Sequence, residues 1–288
     1  MLVPTVETLR FRFLLDQLTR RSVPVCLLGA TGSGKSTLVK EYIAAGLGPE
    51  EWEHGQLALS ATTSASVVQG YIESKLEKQR KGVYGPSAQG KLLLLFFDDL
   101  AMPVRERYGA QPPLELIRTL IAEGALFDRN DTTSKTIVGT VIVAAMGLPG
   151  GGRELPSDRL LRHFSLIGLP ELSRETLLHV FGTILGQGLA GHDPAWASQA
   201  RAIARLSVDL FERVRGALLP TPAKCHYQFN VRQLTELTQG VLMADPSTVA
   251  ASTDSLLLLH KLWVHESRRV FTDRLVSELD CQQVEELL

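Results

Sequence analysis

The chain has 288 residues, 44% hydrophobic and 21% charged, with 30 Lys and Arg against 31 Asp and Glu for a formal charge of -1. At about 150 residues per domain this predicts roughly two compact units, and the composition excludes disordered, collagen-like and disulfide-scaffold classes. A balanced charge gives no whole-chain reason to expect nucleic acid or an anionic membrane surface as a partner. The cysteines Cys26, Cys225 and Cys281 lack metal or redox spacing and point to a reducing compartment. Met1 to Glu7 does not have the basic-then-apolar order of a targeting leader. The longest apolar run, Leu92 to Phe97, falls far short of the ~20 residues that span a bilayer, so a soluble, cytoplasmic protein without a membrane partner is expected.

In chain order, Leu9, Phe13, Leu14 and Leu18 predict a helix over 8–20, and Val23 to Leu28 reads as a buried strand. A glycine-rich turn follows, then a helix from Ser36 to Ile43 that Gly46 and Gly48-Pro49 end. Further strands are expected at Gln56–Ser60, Leu92–Phe97, Thr136–Ala145 and Phe164–Leu169, with helices over Val67–Gln79 and Leu114–Glu123 between them. Such alternation predicts an α/β unit with a mostly parallel sheet flanked by helices. Lys78, Arg80 and Lys81 read as a solvated loop. After Pro170 only helical spacing remains, punctuated by Pro220-Thr221-Pro222 and Asp245-Pro246-Ser247, so a division into an α/β part, 1–170, and an all-helical part, 171–288, is expected. Trp263 and Phe271 fall on one helical face and are expected in its core. The absence of terminal tails fits a segment of a longer polypeptide.

Gly29-Ala30-Thr31-Gly32-Ser33-Gly34-Lys35-Ser36 matches G-x-x-x-x-G-K-[ST] between an apolar strand and a helix, the context a P-loop requires. Glycines let the loop curl so that successive N–H groups point inward, and the helix N-terminus adds partial positive charge. Lys35 is placed to reach the β- and γ-phosphates of ATP or ADP, and Ser36 to ligate Mg²⁺. Thr37 follows the loop and is taken with it as a nucleotide-binding candidate.

The apolar run Leu92–Phe97 ends in Asp98-Asp99, the pattern of a Walker B strand, whose acids emerge at the carboxyl end of the sheet. Asp98 is expected to hold Mg²⁺ and Asp99 to stand as the base that orients attacking water, a place usually taken by Glu. Asp is shorter by about 1.5 Å, and a 1 Å misplacement can cost roughly a hundredfold in rate. The strand Thr140–Gly147 ends without a polar side chain where related NTPases often carry Asn. One missing donor costs about 10²- to 10³-fold. Binding is therefore expected to be more secure than hydrolysis. Arg162, just before the last strand, is placed to face a neighbour's γ-phosphate, and Arg232 opens a helix from which it could swing onto the nucleotide.

These runs together resemble one AAA+ module of a dynein heavy chain, most closely the third module of the ring in axonemal dyneins. The resemblance rests on the loop Gly29–Ser36, on Asp98-Asp99-Leu100-Ala101-Met102-Pro103, on Tyr108-Gly109-Ala110-Gln111-Pro112-Pro113, on Ala144-Ala145-Met146-Gly147-Leu148-Pro149-Gly150-Gly151-Gly152-Arg153 and on Phe229-Asn230-Val231-Arg232. It implies a P-loop NTPase unit followed by a small helical lid, with Val3 and Pro4 against adenine, Arg162 as the finger reaching the adjacent module and Arg232 as the lid sensor. It also implies a regulatory ATP- or ADP-binding role in a microtubule motor of the ciliary axoneme. Adjacent modules are then the direct partners, and light chains, intermediate chains and microtubules are reached only through the full chain. Asp99 for Glu and Gly147 for Asn depart from an active AAA+ pattern and imply slow or absent hydrolysis. A free-standing P-loop ATPase or small-molecule kinase, and a structural module stabilised by nucleotide, are the alternatives; the absent N-K-x-D motif argues against a GTPase.

Overall fold

The computed structural model describes residues 3–88, 90–150, 155–191, 194–245 and 254–288. Two compact units are present: Pro4–Glu171, and Leu172–Leu288 with which Val3 groups. The first is built on a five-stranded sheet of β1 (Val25–Gly29), β2 (Trp52–Ala58), β5 (Leu92–Asp98), β8 (Thr140–Gly147) and β9 (Ser165–Leu169), in the order β2-β5-β8-β1-β9. Every pairing is parallel. A parallel sheet is covered on both faces, so its strands read as unbroken apolar runs, and Leu93 to Phe97 and Val141 to Met146 are all buried. Alternate residues serve opposite cores. Leu93, Leu95, Phe97, Ile142 and Ala144 pack with α3 (Ala65–Glu73) and α4 (Pro112–Glu123), whereas Leu94, Phe96, Val141 and Val143 pack with α1 (Val6–Thr19) and α2 (Lys35–Glu41).

The helix boundaries have local causes. Thr5 caps α1 in a reciprocal box with Thr8, and α4 begins with Pro112-Pro113 and ends at Gly124, whose φ of 61° suits a left-handed stop. Helix α2 continues without a break into a π turn, Tyr42–Gly46.

The strand expected at Gln56–Ser60 lies earlier, as β2, and three further expected elements differ. The helix over Val67–Gln79 stops at Glu73, because Glu77–Arg80 forms a strand, β3, that pairs antiparallel with β4 (Val83–Gly85) across Lys81-Gly82, with Gly82 at φ 73°. The basic run Lys78, Arg80, Lys81 is therefore a hairpin rather than a loop. The single strand over Thr136–Ala145 is two: β7 (Ser134–Ile137) joins a small sheet of order β3-β4-β7-β6 with β6 (Ala125–Phe127), and β8 joins the large one. Gly139, at φ 68°, makes the break. Finally, Leu9, Phe13 and Leu14 of α1 are exposed, and Leu15, not in the expected stripe, is its fully buried apolar residue. A short helix α5 (Asp158–Leu161) precedes β9.

The second unit is helical throughout its described elements: α6 (Arg174–Gly188), α7 (Pro194–Ala217), α8 (Val231–Leu242), α9 (Ser255–Ser267) and α10 (Glu278–Glu285). Trp196, Phe211, Trp263 and Phe271 are buried in one core. Both indoles keep a partner, since Trp263 Nε1 donates to Ser207 Oγ at 2.9 Å and Trp196 Nε1 to the Ser255 carbonyl at 2.7 Å. Asn230 caps α8 in a box with Gln233. The expected turn at Pro246-Ser247 and the family-like Gly151-Gly152-Arg153 lie outside the described residues.

Candidate nucleotide site

Strand β1 ends at Gly29, which pairs with Gly147 of β8 on one side and Leu169 of β9 on the other. Space there is too small for a side chain: a Cβ on Gly29 would stand 2.8 Å from the Leu169 carbonyl oxygen and 2.9 Å from Ser33 Oγ. Gly32 and Gly34 take φ of 84° and 85°, and Ser33 N–H donates to the Ala30 carbonyl at 3.2 Å, so the loop curls over the end of the strand. No side chain caps the start of α2, which leaves its first N–H groups turned toward the loop mouth.

Lys35, 9% exposed, lies across this curl, its Nζ donating to the carbonyls of Gly29 at 2.9 Å and Ala30 at 2.8 Å and reaching Ser33 Oγ at 3.3 Å. Ser36 Oγ donates to Asp98 Oδ1 at 2.8 Å. That bond joins residues 62 positions apart across the intervening β8, and it brings together the two oxygens expected to hold Mg²⁺. A hydroxyl and a carboxylate are hard oxygen donors, and Mg²⁺ keeps most of its shell for water and phosphate, so the pair fits the ion. Among the described residues no cluster of three His, Cys, Asp or Glu forms another metal site.

Asp99 is exposed and adopts φ 53°, a left-handed conformation that Asp tolerates better than Glu. Its N–H donates to Asp98 Oδ1 at 3.1 Å, fixing the first acid, and Leu100 N–H returns to the Ala145 carbonyl at 2.9 Å, holding the turn against β8. Sequence reasoning missed this backbone state. It also missed Gln111, buried, whose Nε2 donates to the Pro103 carbonyl at 2.7 Å and ties down the loop that follows the acids. Cys26, within β1, has its thiol pushed up to about 12 by burial and serves packing.

The structure thus gathers Gly29 to Ser36, Asp98 and Asp99 at one end of the sheet. Thr37 is exposed on the first turn of α2, and Pro4 is exposed just before the cap of α1. Arg162 is exposed at the end of α5, its Nε 3.4 Å from His163 Nε2. Val3 is buried and groups with the helical unit, to which Arg232, exposed in the first turn of α8, also belongs.

The pattern of a family described as the P-loop containing dynein motor region matches residues 1–172, and that of the dynein heavy chain ATPase lid domain matches residues 185–280. The chain belongs to the dynein heavy chain family. Its AAA+ P-loop unit is followed by its lid, and nucleotide binding comes with the first of them. Similar proteins include human dynein axonemal heavy chain 1, 40% identical over 300 residues covering 100% of this chain and 7% of that protein. Dynein axonemal heavy chain 12 of Rattus norvegicus is 39% identical over 281 residues, 97% of this chain and 9% of that protein. Human dynein axonemal heavy chain 2 is 37% identical over 281 residues, 98% of this chain and 6% of that protein. This dynein chain therefore spans less than a tenth of the length of these relatives. No helix among its described residues is long and apolar enough to cross a membrane.

Proposed function

We propose that this chain is the third AAA+ module of an axonemal-type dynein heavy chain and that it is a regulatory ATP- or ADP-binding site with slow or absent hydrolysis of its own. The observation that carries the reading is the contrast within one site. The loop, Lys35 and the Ser36–Asp98 pair are complete, while the base position holds a strained Asp99 and β8 ends at Gly147. In this reading Lys35 binds the β- and γ-phosphates, the loop N–H groups bind the remaining phosphate oxygens, and Ser36 and Asp98 hold Mg²⁺. Val3 and Pro4 lie against the base, Arg162 reaches the nucleotide of the adjacent module, and Arg232 senses nucleotide from the lid. Residues 1–170 form the nucleotide unit and 171–288 the lid.

Bound Mg²⁺ supplies neutralisation of phosphate charge, and the chain's own groups orient that charge rather than drive its transfer. The similarity to axonemal heavy chains supports a location in the ciliary cytoskeleton. Its partners are then the neighbouring modules, and light chains, intermediate chains and microtubules only through the whole heavy chain.

The test is to denature the purified chain, identify the released nucleotide, and follow phosphate release beside an Asp99→Glu variant. Retained adenine nucleotide with release far below the ~10 s⁻¹ of a typical enzyme, little changed by Asp99→Glu, is the expected result. A nucleotide-free chain that turns over ATP freely without a partner would overturn the regulatory reading in favour of a free-standing ATPase.

A further inference from the structure

Helix α1 has few apolar ties to its own unit. Of its 14 residues only Leu15 and Thr19 are buried, while Val6, Leu9 and Phe13 are more than half exposed. Apolar burial is the usual source of helix docking energy, and with a seam this narrow polar contacts share in fixing the tilt. Phe11 and Leu18 add partly buried contacts to the core around Leu15, and the side-chain hydrogen bonds from α1 to the rest of the unit lead to the end of the P-loop helix. Arg12 Nη1 donates to Glu41 Oε1 at 3.0 Å. The Tyr42 hydroxyl, on a side chain 1% exposed, lies 2.6 Å from Thr19 Oγ1 and 3.2 Å from Asp16 Oδ1.

Thr19 Oγ1 gives its one proton to the Leu15 carbonyl at 2.7 Å, which leaves the phenol as donor to Thr19 or Asp16. Burial pushes the phenol up to about 12, so it keeps that proton throughout the physiological range. Glu41 ends α2 and Tyr42 begins the π turn, a device that re-aims side chains at functional sites. Gly46 is required there, because a Cβ on it would stand 2.6 Å from Tyr42 Cδ2 and drive the ring out of this contact.

The chain topology sets a direction. Arg12 meets Glu41, and Asp16 and Thr19 meet Tyr42; since α1 enters β1 through the short link 20–24 and α2 leaves its other end through the phosphate loop, both helices run opposite to β1 and so the same way. At 1.5 Å per residue, the step from Arg12 back to Thr5 is about 10 Å and that from Glu41 back to Lys35 about 9 Å. The segment before α1 therefore comes level with the end of the phosphate loop.

We infer that Tyr42, with Asp16 and Thr19, is a positioning latch that sets the segment before α1 against the phosphate loop and so determines which nucleoside the site prefers. The inference rests on the proposed placement of Pro4 beside the base. From Asp16 to Pro4 the helix and its lead-in measure about 18 Å, and a tilt of about 5° at the latch displaces Pro4 by about 1.5 Å. Such a shift opens a base contact and leaves Lys35 and the loop untouched, since these are held by their own hydrogen bonds to Gly29 and Ala30.

The experiment titrates the 288-residue chain with ATP, GTP and inorganic tripolyphosphate, comparing wild type with Tyr42→Phe, which removes only the hydroxyl, and Thr19→Val, which removes its partner. Tyr42→Phe is expected to weaken ATP by about tenfold and to reduce the preference for ATP over GTP by a similar factor, with tripolyphosphate changed by no more than about twofold. Thr19→Val is expected to act in the same direction with a smaller effect. Equal loss for ATP and tripolyphosphate would overturn the latch, showing that the tyrosine supports the phosphate loop itself. A lower melting temperature with all three affinities unchanged would overturn it equally. Pro4→Ala separates the two readings. If Pro4→Ala alters the ATP over GTP preference and Tyr42→Phe does not, the latch fails and the base placement stands; if Pro4→Ala alters nothing, the base placement fails and the latch with it.

Discussion

The loop after β1 and the acids after β5 occupy the same end of one sheet, yet they differ in how much each depends on a single side chain. Around the loop, binding groups are mostly backbone, and the lysine is anchored by two carbonyls at 2.9 and 2.8 Å. After β5 one carboxylate, Asp98, is fixed by Ser36 Oγ and by the Asp99 N–H, while the next, Asp99, is exposed on a left-handed backbone. Holding phosphate needs a shape that many atoms share. Breaking it needs one group at one distance, and a shorter side chain or a missing amide slows it by about a hundredfold or more. A site can therefore keep the first capacity intact while the second decays.

Lys35→Ala is the largest test of this contrast. Loss of a charge-assisted contact to phosphate predicts about a hundredfold weaker nucleotide binding in a fluorescent-nucleotide titration, and unchanged affinity would mean the loop does not hold phosphate. Gly29→Ala comes next, since its Cβ has 2.8 Å to the Leu169 carbonyl; destabilisation of about 1–3 kcal/mol is expected, read as a lower melting temperature together with weaker binding. On the acid side, Gly147→Asn, which restores a donor at the end of β8, is expected to raise phosphate release by about tenfold. Asp99→Glu should change it least, by no more than about twofold, because the longer carboxylate comes with a residue less suited to φ 53°. The companion Asp99→Gly should raise stability by about 1 kcal/mol in a thermal melt. A large gain from Asp99→Glu would collapse the comparison, since reach alone would then have limited turnover.

The strand, loop and helix around Gly29–Ser36 were legible because the motif and its apolar flank impose one geometry, and Leu92–Phe97 was legible because a buried parallel strand is apolar throughout. What sequence did not yield has physical reasons. Gly139 divides an apolar run that looks continuous, and only the left-handed backbone at that position separates β7 from β8. Glu77–Arg80 is a strand made of residues that equally suit a helix, and its partner across Lys81-Gly82 decided the matter. On α1 the helical spacing was correct but the buried face was shifted to Leu15 with Phe11 and Leu18 beside it, and polar ties to Glu41 and Tyr42 hold the same side. The arginines Arg162 and Arg232 and the leading Val3 and Pro4 carry roles that depend on ligand or neighbour, and no spacing within a single chain specifies those.

Strand β3 has one further consequence. It lies at the open rim of the small sheet, and Glu77, Lys78, Gln79 and Arg80 are all exposed. An unpaired rim of N–H and C=O groups is a template on which a second molecule can add a strand, and charged side chains on a short rim discourage it. The four residues therefore guard the isolated module against joining its own copies edge to edge, and their replacement by Val or Ile would be expected to turn a soluble preparation into one that aggregates as it is concentrated.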